Sequence, residues 1–224
     1  MAIAWVHVAW LVPAYFLGAI PTSYVVARLA AGVDLREVGS KNLGATNLYR
    51  LLGWKAAVPV AAFDVAKGAA PVLVYLALTR EPSWWSLVVG AAAVLGHVFS
   101  PFVRFRGGKG VATAAGVFLA YMPGAIGAAA VVWVGLVAAT GYVSLGSIAA
   151  AVTFPVLVKL LYPSHATAFW LAGLVALFVI FNHRSNIRRL LAGTEARFRK
   201  ARPAGQAAGG AGGAGGTAGG AGVP

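Results

Sequence analysis

The stretch Gly96-His-Val-Phe-Ser-Pro-Phe-Val-Arg-Phe-Arg-Gly-Gly-Lys-Gly-Val-Ala-Thr113 packs a histidine, three cations and two adjacent glycines between two long apolar segments. The apolar run from Val111 predicts a helix whose first turn leaves N–H groups unpaired. Gly107 and Gly108 leave backbone amides with no side chain in the way, and Lys109 adds a positive point charge. Such a place attracts an anion, phosphate above all. It is not a Walker A loop, because Gly110 rather than Ser or Thr follows Lys109, so nucleotide hydrolysis is not implied.

Composition sets the surroundings of this stretch. Of 224 residues, 60% are hydrophobic and only 10% charged, with a mean hydropathy of +0.80. Soluble domains carry about 25% charged residues, so this is a membrane protein by composition. No basic region precedes the first apolar run, and Met1 to Ile20 reads as the start of a retained span. Cysteine is absent, which removes disulfides, thiol nucleophiles and acyl-cysteine intermediates together. Five scattered carboxylates, Asp34, Glu37, Asp64, Glu81 and Glu195, are too few for a two-metal site, so no metal or cofactor is expected. The net charge of +13 flanks apolar spans, which favours anionic lipid headgroups and phosphorylated substrates over nucleic acid.

The cations then fix the topology. Apolar candidates for spans are residues 3–28, 56–78, 84–99, part of 111–139, 143–162 and 166–182. Of the 18 Lys and Arg residues, 15 fall in three polar stretches: Arg28 to Lys55, Arg104 to Lys109, and Arg184 to Arg202. The positive-inside rule places all three in the cytoplasm and the N-terminus outside. The chain must therefore cross an even number of times between Lys109 and Arg184, two of those crossings being 143–162 and 166–182. Residues 111–139 contain a Pro123-Gly124 break, yet as helix they supply about 43 Å where two crossings want about 60 Å. The expected fold is an all-α polytopic bundle of about seven transmembrane helices with 111–122 as a short one, the alternative being five with a re-entrant segment. Residues 1–202 form one domain, and the Ala/Gly-rich 203–224 read as a disordered tail.

The other two polar stretches carry matching chemistry. Gly39-Ser-Lys-Asn-Leu-Gly-Ala-Thr-Asn-Leu-Tyr-Arg50 offers Ser40, Asn42, Thr46 and Asn47 as neutral hydrogen-bonding groups and Arg50 as a guanidinium. If 45–52 is helical, Thr46 and Asn47 share the face of Arg50. The plainer reading is a polar loop with Ser40 or Asn42 as a helix cap. Phe181-Asn-His-Arg-Ser-Asn-Ile-Arg-Arg-Leu-Leu-Ala-Gly-Thr-Glu195 places His183, Asn186 and Arg189 every three residues, one polar ridge if the last span continues as helix. A basic stop-transfer anchor explains its arginines equally well but not His183 and Asn186. His97 closes an apolar helix, where a structural role competes with a binding one, and Arg104 and Arg106 suit headgroup anchoring. Asp64 and Lys67, about 13 Å inside a span, either pair structurally or support the site.

Together these stretches resemble the bacterial acyl-phosphate:glycerol-3-phosphate acyltransferases, the PlsY type. Gly39 to Asn47 matches the pattern Gly-Ser-x-Asn-x-Gly-Ala-Thr-Asn, with Lys41 where the family usually has Gly. Gly96 to Thr113 matches the second motif and His183 to Glu195 the third, and the likeness runs from about residue 10 to 200. The resemblance implies transfer of a fatty acyl group from acyl phosphate to the 1-hydroxyl of glycerol 3-phosphate, giving lysophosphatidic acid and phosphate. It places the enzyme in the bacterial inner membrane, among membrane lipids, with its active site on the cytoplasmic face. By position in the motifs, Ser40, Arg50 and Lys109 hold the glycerol 3-phosphate phosphate, and Asn42, Thr46 and Asn47 shape the first loop. His97, Gly107, Gly108 and Thr113 complete the binding wall. His183, Asn186 and Arg189 stand nearest the acyl phosphate or the reacting hydroxyl. The proton of that hydroxyl goes to His183 or to a phosphate oxygen of the donor. The competing class is a transporter or binding protein for a phosphorylated small molecule, which would place polar groups at the midplane; a hydrolase would need a nucleophile or activated water.

Overall fold

A computed structural model describes residues 2–79 and 84–198, and every regular element in them is helical. The 203–224 tail expected to be disordered lies outside the described residues. The first limb consists of α1 (Ala2–Ala9), α2 (Leu11–Ala19) and α3 (Thr22–Ala31), followed by a loop and the short α4 (Ala45–Leu52). Next come α5 (Trp54–Thr79) and α6 (Trp84–Val98), which ends in a 3-10 turn at Pro101–Val103. The second half holds α7 (Val111–Tyr121), α8 (Pro123–Thr140), α9 (Val143–Leu161), α10 (Ala166–Asn182) and α11 (Arg184–Leu191).

Among the described residues five segments are long and apolar enough to cross a membrane: His7–Ala31, Trp54–Thr79, Trp84–Val103, Pro123–Thr140 and Val143–Leu161. A sixth forms if α10 and α11, bent by 58° at His183, count as one span. The expected straight continuation of the last span past residue 182 is thus corrected: the ridge residues Asn186 and Arg189 share α11, and His183 sits at the corner. The expected short helix at 111–122 is α7, whose 11 residues supply about 17 Å, roughly half of the hydrocarbon thickness. Met122, with φ −140° and ψ 65°, breaks the chain before Pro123, which starts α8.

Two contacts explain how so short a helix fits. Tyr121 meets the His165 ring, and the Gly124 N–H donates to the Tyr162 hydroxyl at 3.1 Å, so the α7–α8 turn lies level with the α9–α10 connection. At its other end α7 begins beside Gly68, where an added Cβ would collide with the Thr113 backbone. Gly68 is 14 residues, about 21 Å, into α5 from Trp54. The start of α7, and Lys109 just before it, are therefore sunk well below the face on which α4 and α11 lie. Gly68 and Gly116 let α5 and α7 touch backbone to backbone, as Gly18 and Gly96 do for α2 and α6. Beyond α7 a dry core of Val72, Val117, Phe118, Met122, Phe154 and Val158 closes the far half of the bundle. Val131, Trp170, Leu174 and Leu177 are exposed on its outside, as lipid-facing positions are.

Candidate functional site

The first polar stretch is folded around one amide. Asn47 is buried, its Nδ2 donates to the carbonyls of Leu35, Val38 and Asn42 at 3.1–3.2 Å, and its Oδ1 accepts the Ser40 N–H at 3.0 Å. All of its capacity is spent on backbone, so it shapes the loop and leaves Ser40 and Asn42 to face the cavities. Lys41 takes a left-handed φ of +58°, the conformation that the glycine usual in this motif adopts freely. Asp34 secures the base of the loop with Arg28 and Arg36 at 3.2 and 2.7 Å, and hydrogen bonding from Arg36 holds its carboxyl down to about 2. Arg36 also donates to the Val103 carbonyl at 3.2 Å, tying the first stretch to the second.

The second stretch is a hairpin that leaves α6 and returns. The Gly107 N–H donates to the Val98 carbonyl at 2.9 Å and the Gly108 N–H to that of His97 at 3.2 Å. This corrects the expectation that these amides await an anion: they close the hairpin. Glycine is needed because a Cβ at either position would strike His97, backbone at one and ring at the other. Neither lines either of the two cavities that meet at the site, nor does Thr113, which is fully buried against α5 with its hydroxyl unpartnered among the described residues. What the hairpin delivers is Lys109, carried inward to the cavity wall just ahead of α7.

The third stretch turns back on itself through Gly193, at φ +69°, whose N–H bonds to Leu190 while those of Thr194 and Glu195 reach the Arg189 carbonyl at 2.8 and 3.1 Å. That reversal brings the Glu195 carboxylate over α11, where it accepts from Asn186 Nδ2 at 2.6 Å, Arg189 Nε at 2.6 Å and Ser144 Oγ at 2.7 Å. Burial pushes the Glu195 carboxyl up, but these three hydrogen bonds more than reverse this and keep it below its ordinary value. Asn186, oriented by Glu195, accepts a hydrogen bond from Lys109 Nζ through Oδ1. Burial pushes the Lys109 ammonium down to about 8, partly offset by Glu195 and reinforced by Arg189 and Arg50. His183 is buried with Nδ1 2.8 Å from the Val179 carbonyl, which can only accept, so Nδ1 carries the proton and Nε2 is the basic nitrogen. Sequence reasoning quoted Glu195 inside the third motif without a role and missed Ser144. A lone carboxylate after a run of arginines was the available signal.

Two cavities meet at these residues. A polar one of about 230 Å³ has Ser40, Asn42, Lys109, Asn186 and Arg189 among its walls. A larger one of about 770 Å³ shares Ser40, Asn42, Lys109 and Asn186, and adds Thr46, Arg50, His97, His183 and Glu195. Much of the remaining wall is apolar, with Ala57, Ala61, Ala115, Ala130, Ala151 and Trp133, and Phe118 and Phe154 cross edge to face at 4.7 Å. Phe154 lies 10 residues, about 15 Å, along α9 from Ser144, the depth of one bilayer leaflet. Arg50 donates to the Ala196 carbonyl at 3.0 Å, but its buried Nε has no acceptor among the described residues. Asp64 reaches the wall too, paired with Lys67 at 2.7 Å and standing 3.9 Å from His97 Nδ1. Lys67 also donates at 2.8 Å to Ile20, whose carbonyl is freed by the break before Pro21. Among the described residues no group of three His, Asp or Glu side chains is placed to hold a metal ion.

A cavity that joins Arg50, Lys109 and hydrogen-bonding side chains to leaflet-deep apolar walls, set among membrane-length helices, suits a polytopic membrane protein whose ligand has an anionic head and a long chain. The chain belongs to the glycerol-3-phosphate acyltransferase family, whose pattern it matches over residues 8–193. It is 47% identical over 194 residues to the glycerol-3-phosphate acyltransferase of Trichlorobacter lovleyi, covering 85% of this chain and 96% of that one. The Geobacter sulfurreducens enzyme of the same name is 46% identical over 186 residues, covering 83% and 94%. The fold superimposes on crystal structures of PlsY, an integral membrane glycerol 3-phosphate acyltransferase. For the glycerol 3-phosphate form the TM-score is 0.81 at 41% identity, covering 86% of this chain and 96% of that chain. For the lysophosphatidic acid form the TM-score is 0.78 at 39% identity, covering 87% and 96%.

Proposed function

We propose that this protein transfers a fatty acyl group from acyl phosphate to the 1-hydroxyl of sn-glycerol 3-phosphate, releasing lysophosphatidic acid and inorganic phosphate for phospholipid synthesis. The observation that carries this reading is the junction itself: Lys109, Arg50 and His183 line the same cavity as a long apolar wall. The acyl chain occupies the apolar part, its carbonyl carbon comes to the mouth, and the two phosphates lie among Ser40, Arg50, Lys109 and Arg189. Two anions repel, so cations must hold them close enough for the hydroxyl to reach the carbonyl. The 1-hydroxyl oxygen then bonds to the acyl carbon, the bond from that carbon to the phosphate oxygen breaks, and phosphate departs with its electron pair. Asn186, fixed by Glu195, positions Lys109. The hydroxyl proton passes to His183 Nε2 or to an oxygen of the departing phosphate, and the pH profile of His183→Ala separates the two: a shifted acid limb assigns the proton to His183, an unshifted profile with kcat kept assigns it to phosphate.

The polar stretches carry 15 of the 18 Lys and Arg residues, which supports a cytoplasmic mouth, an external N-terminus and residence in the bacterial inner membrane among its anionic lipids. The test supplies purified protein with glycerol 3-phosphate and either palmitoyl phosphate or palmitoyl-CoA. Lysophosphatidic acid is expected from the phosphate donor. Product from the thioester alone would replace the donor, and product from neither would end the reading.

A further inference from the structure

Past Glu195, the last residue of the third motif, residues 196–198 make contacts that the reaction above leaves without a role. Gly141 closes α8 at a left-handed φ of +76°, and its carbonyl accepts from the Phe198 N–H at 2.6 Å. Arg197 Nε donates to the Tyr142 hydroxyl at 3.2 Å, with its guanidinium over the Tyr142 ring. On the other side the half-exposed Phe198 ring stacks on Tyr49 of α4, centroids 4.3 Å apart and planes 20° from parallel. The Ala196 carbonyl accepts from Arg50 Nη2 at 3.0 Å. These three residues therefore bridge the α8–α9 turn to α4, and Tyr49, Arg50 and Phe198 line one cavity.

The bridge bears on Arg50 more than on any other side chain of the site. A guanidinium on a flexible stem loses rotamer freedom when it grips an anion, and one already held in place loses less. Arg50 has one arm fixed by Ala196, while its buried Nε has no acceptor among the described residues. A buried donor in that state wants an oxygen, and a planar fork takes a phosphate best when its orientation is set beforehand. We propose that residues 196–198 are a positioning strap, anchored by the stacking of Phe198 on Tyr49, that holds the Arg50 guanidinium ready for the phosphate of the substrate. The strap rests on the reading of Arg50 as a ligand of glycerol 3-phosphate, and it acts through Arg50.

The experiment uses the full chain in nanodiscs and compares wild type with Phe198→Ala, Phe198→Tyr, Arg50→Lys and the double variant Phe198→Ala with Arg50→Lys. It reads initial rates against glycerol 3-phosphate at saturating palmitoyl phosphate, Tm, and direct binding of glycerol 3-phosphate by calorimetry. Phe198→Ala is expected to raise KM for glycerol 3-phosphate about three- to tenfold with kcat kept, and Phe198→Tyr, which can still stack, to restore the wild-type KM. On top of Arg50→Lys, whose compact ammonium has no planar fork to orient, Phe198→Ala is expected to add less than about twofold. An unchanged KM in Phe198→Ala overturns the strap. So does a joint fall of kcat and Tm with KM unmoved, the mark of a segment that is only structural, and so does the full Phe198→Ala effect repeated in the Arg50→Lys background. A wild type that makes no product sinks the acyl-transfer reading instead. The strap is then decided by calorimetry: weaker binding of glycerol 3-phosphate by Phe198→Ala than by wild type supports it, and equal or absent binding overturns it.

Discussion

Two buried lysines in this molecule have opposite fates. Lys67 sits inside α5 with Asp64 at 2.7 Å and the Ile20 carbonyl at 2.8 Å, and its positive charge is cancelled within the protein. Lys109 enters the bundle on a hairpin and, among the described residues, hydrogen-bonds to the neutral Oδ1 of Asn186, which in turn donates to the Glu195 carboxylate. Burying an ion is tolerable when a counter-ion comes with it, and a site left one charge short attracts an anion from outside. The difference separates an ammonium that pins helices together from one that binds substrate.

Breaking the closed pair produces the largest effect. Lys67→Met leaves the buried Asp64 carboxylate without its counter-ion, with Thr22 Oγ donating to it at 3.0 Å, and is expected to cost about 3–5 kcal/mol, read as a fall in Tm in detergent. The double variant Asp64→Leu with Lys67→Met recovers most of that loss; equal Tm values for single and double variants would show that the pair is not a unit. Lys109→Ala works in reverse. It is expected to lower kcat/KM by about 10²–10³ while Tm holds or rises, since it removes a charge the fold does not neutralise. A collapse of Tm in Lys109→Ala would put both lysines in one class.

The pH profile sharpens the contrast. Lys109, pushed down to about 8 by burial, is charged below that pH and neutral above it. If its cation binds phosphate, kcat/KM is flat below about pH 8 and falls about tenfold per unit above it. Lys109→Arg moves the fall to much higher pH; a limb that does not move belongs to another group. The smallest effect is at the loop. Lys41→Gly relieves a left-handed backbone and is expected to stabilise by about 0.5–1 kcal/mol, read as a rise in Tm.

The parts of this picture that depend on neighbours in sequence were legible in advance. The apolar runs, the helix carrying Thr46, Asn47 and Arg50, the short helix before Pro123, and the shared face of Asn186 and Arg189 all follow from period and composition. What was not legible depends on the chain meeting itself. Gly107 and Gly108 are spent on Val98 and His97 because the hairpin folds back onto α6, which no local pattern announces. Asn47 is consumed by three carbonyls spread over the loop from Leu35 to Asn42. Glu195 becomes the hub only because Gly193 reverses the chain and Ser144, 51 residues away, arrives from the start of α9.

The central claim is that uncompensated positive charge at the mouth of an apolar cavity drives acyl transfer between two phosphates. The most direct measurement counts inorganic phosphate and lysophosphatidic acid together as purified protein consumes palmitoyl phosphate and glycerol 3-phosphate, in wild type and in Lys109→Ala. One phosphate per lysophosphatidic acid in wild type, with both collapsing together in the variant, is the predicted result. Phosphate released without acylated product, or undiminished product from Lys109→Ala, would contradict it.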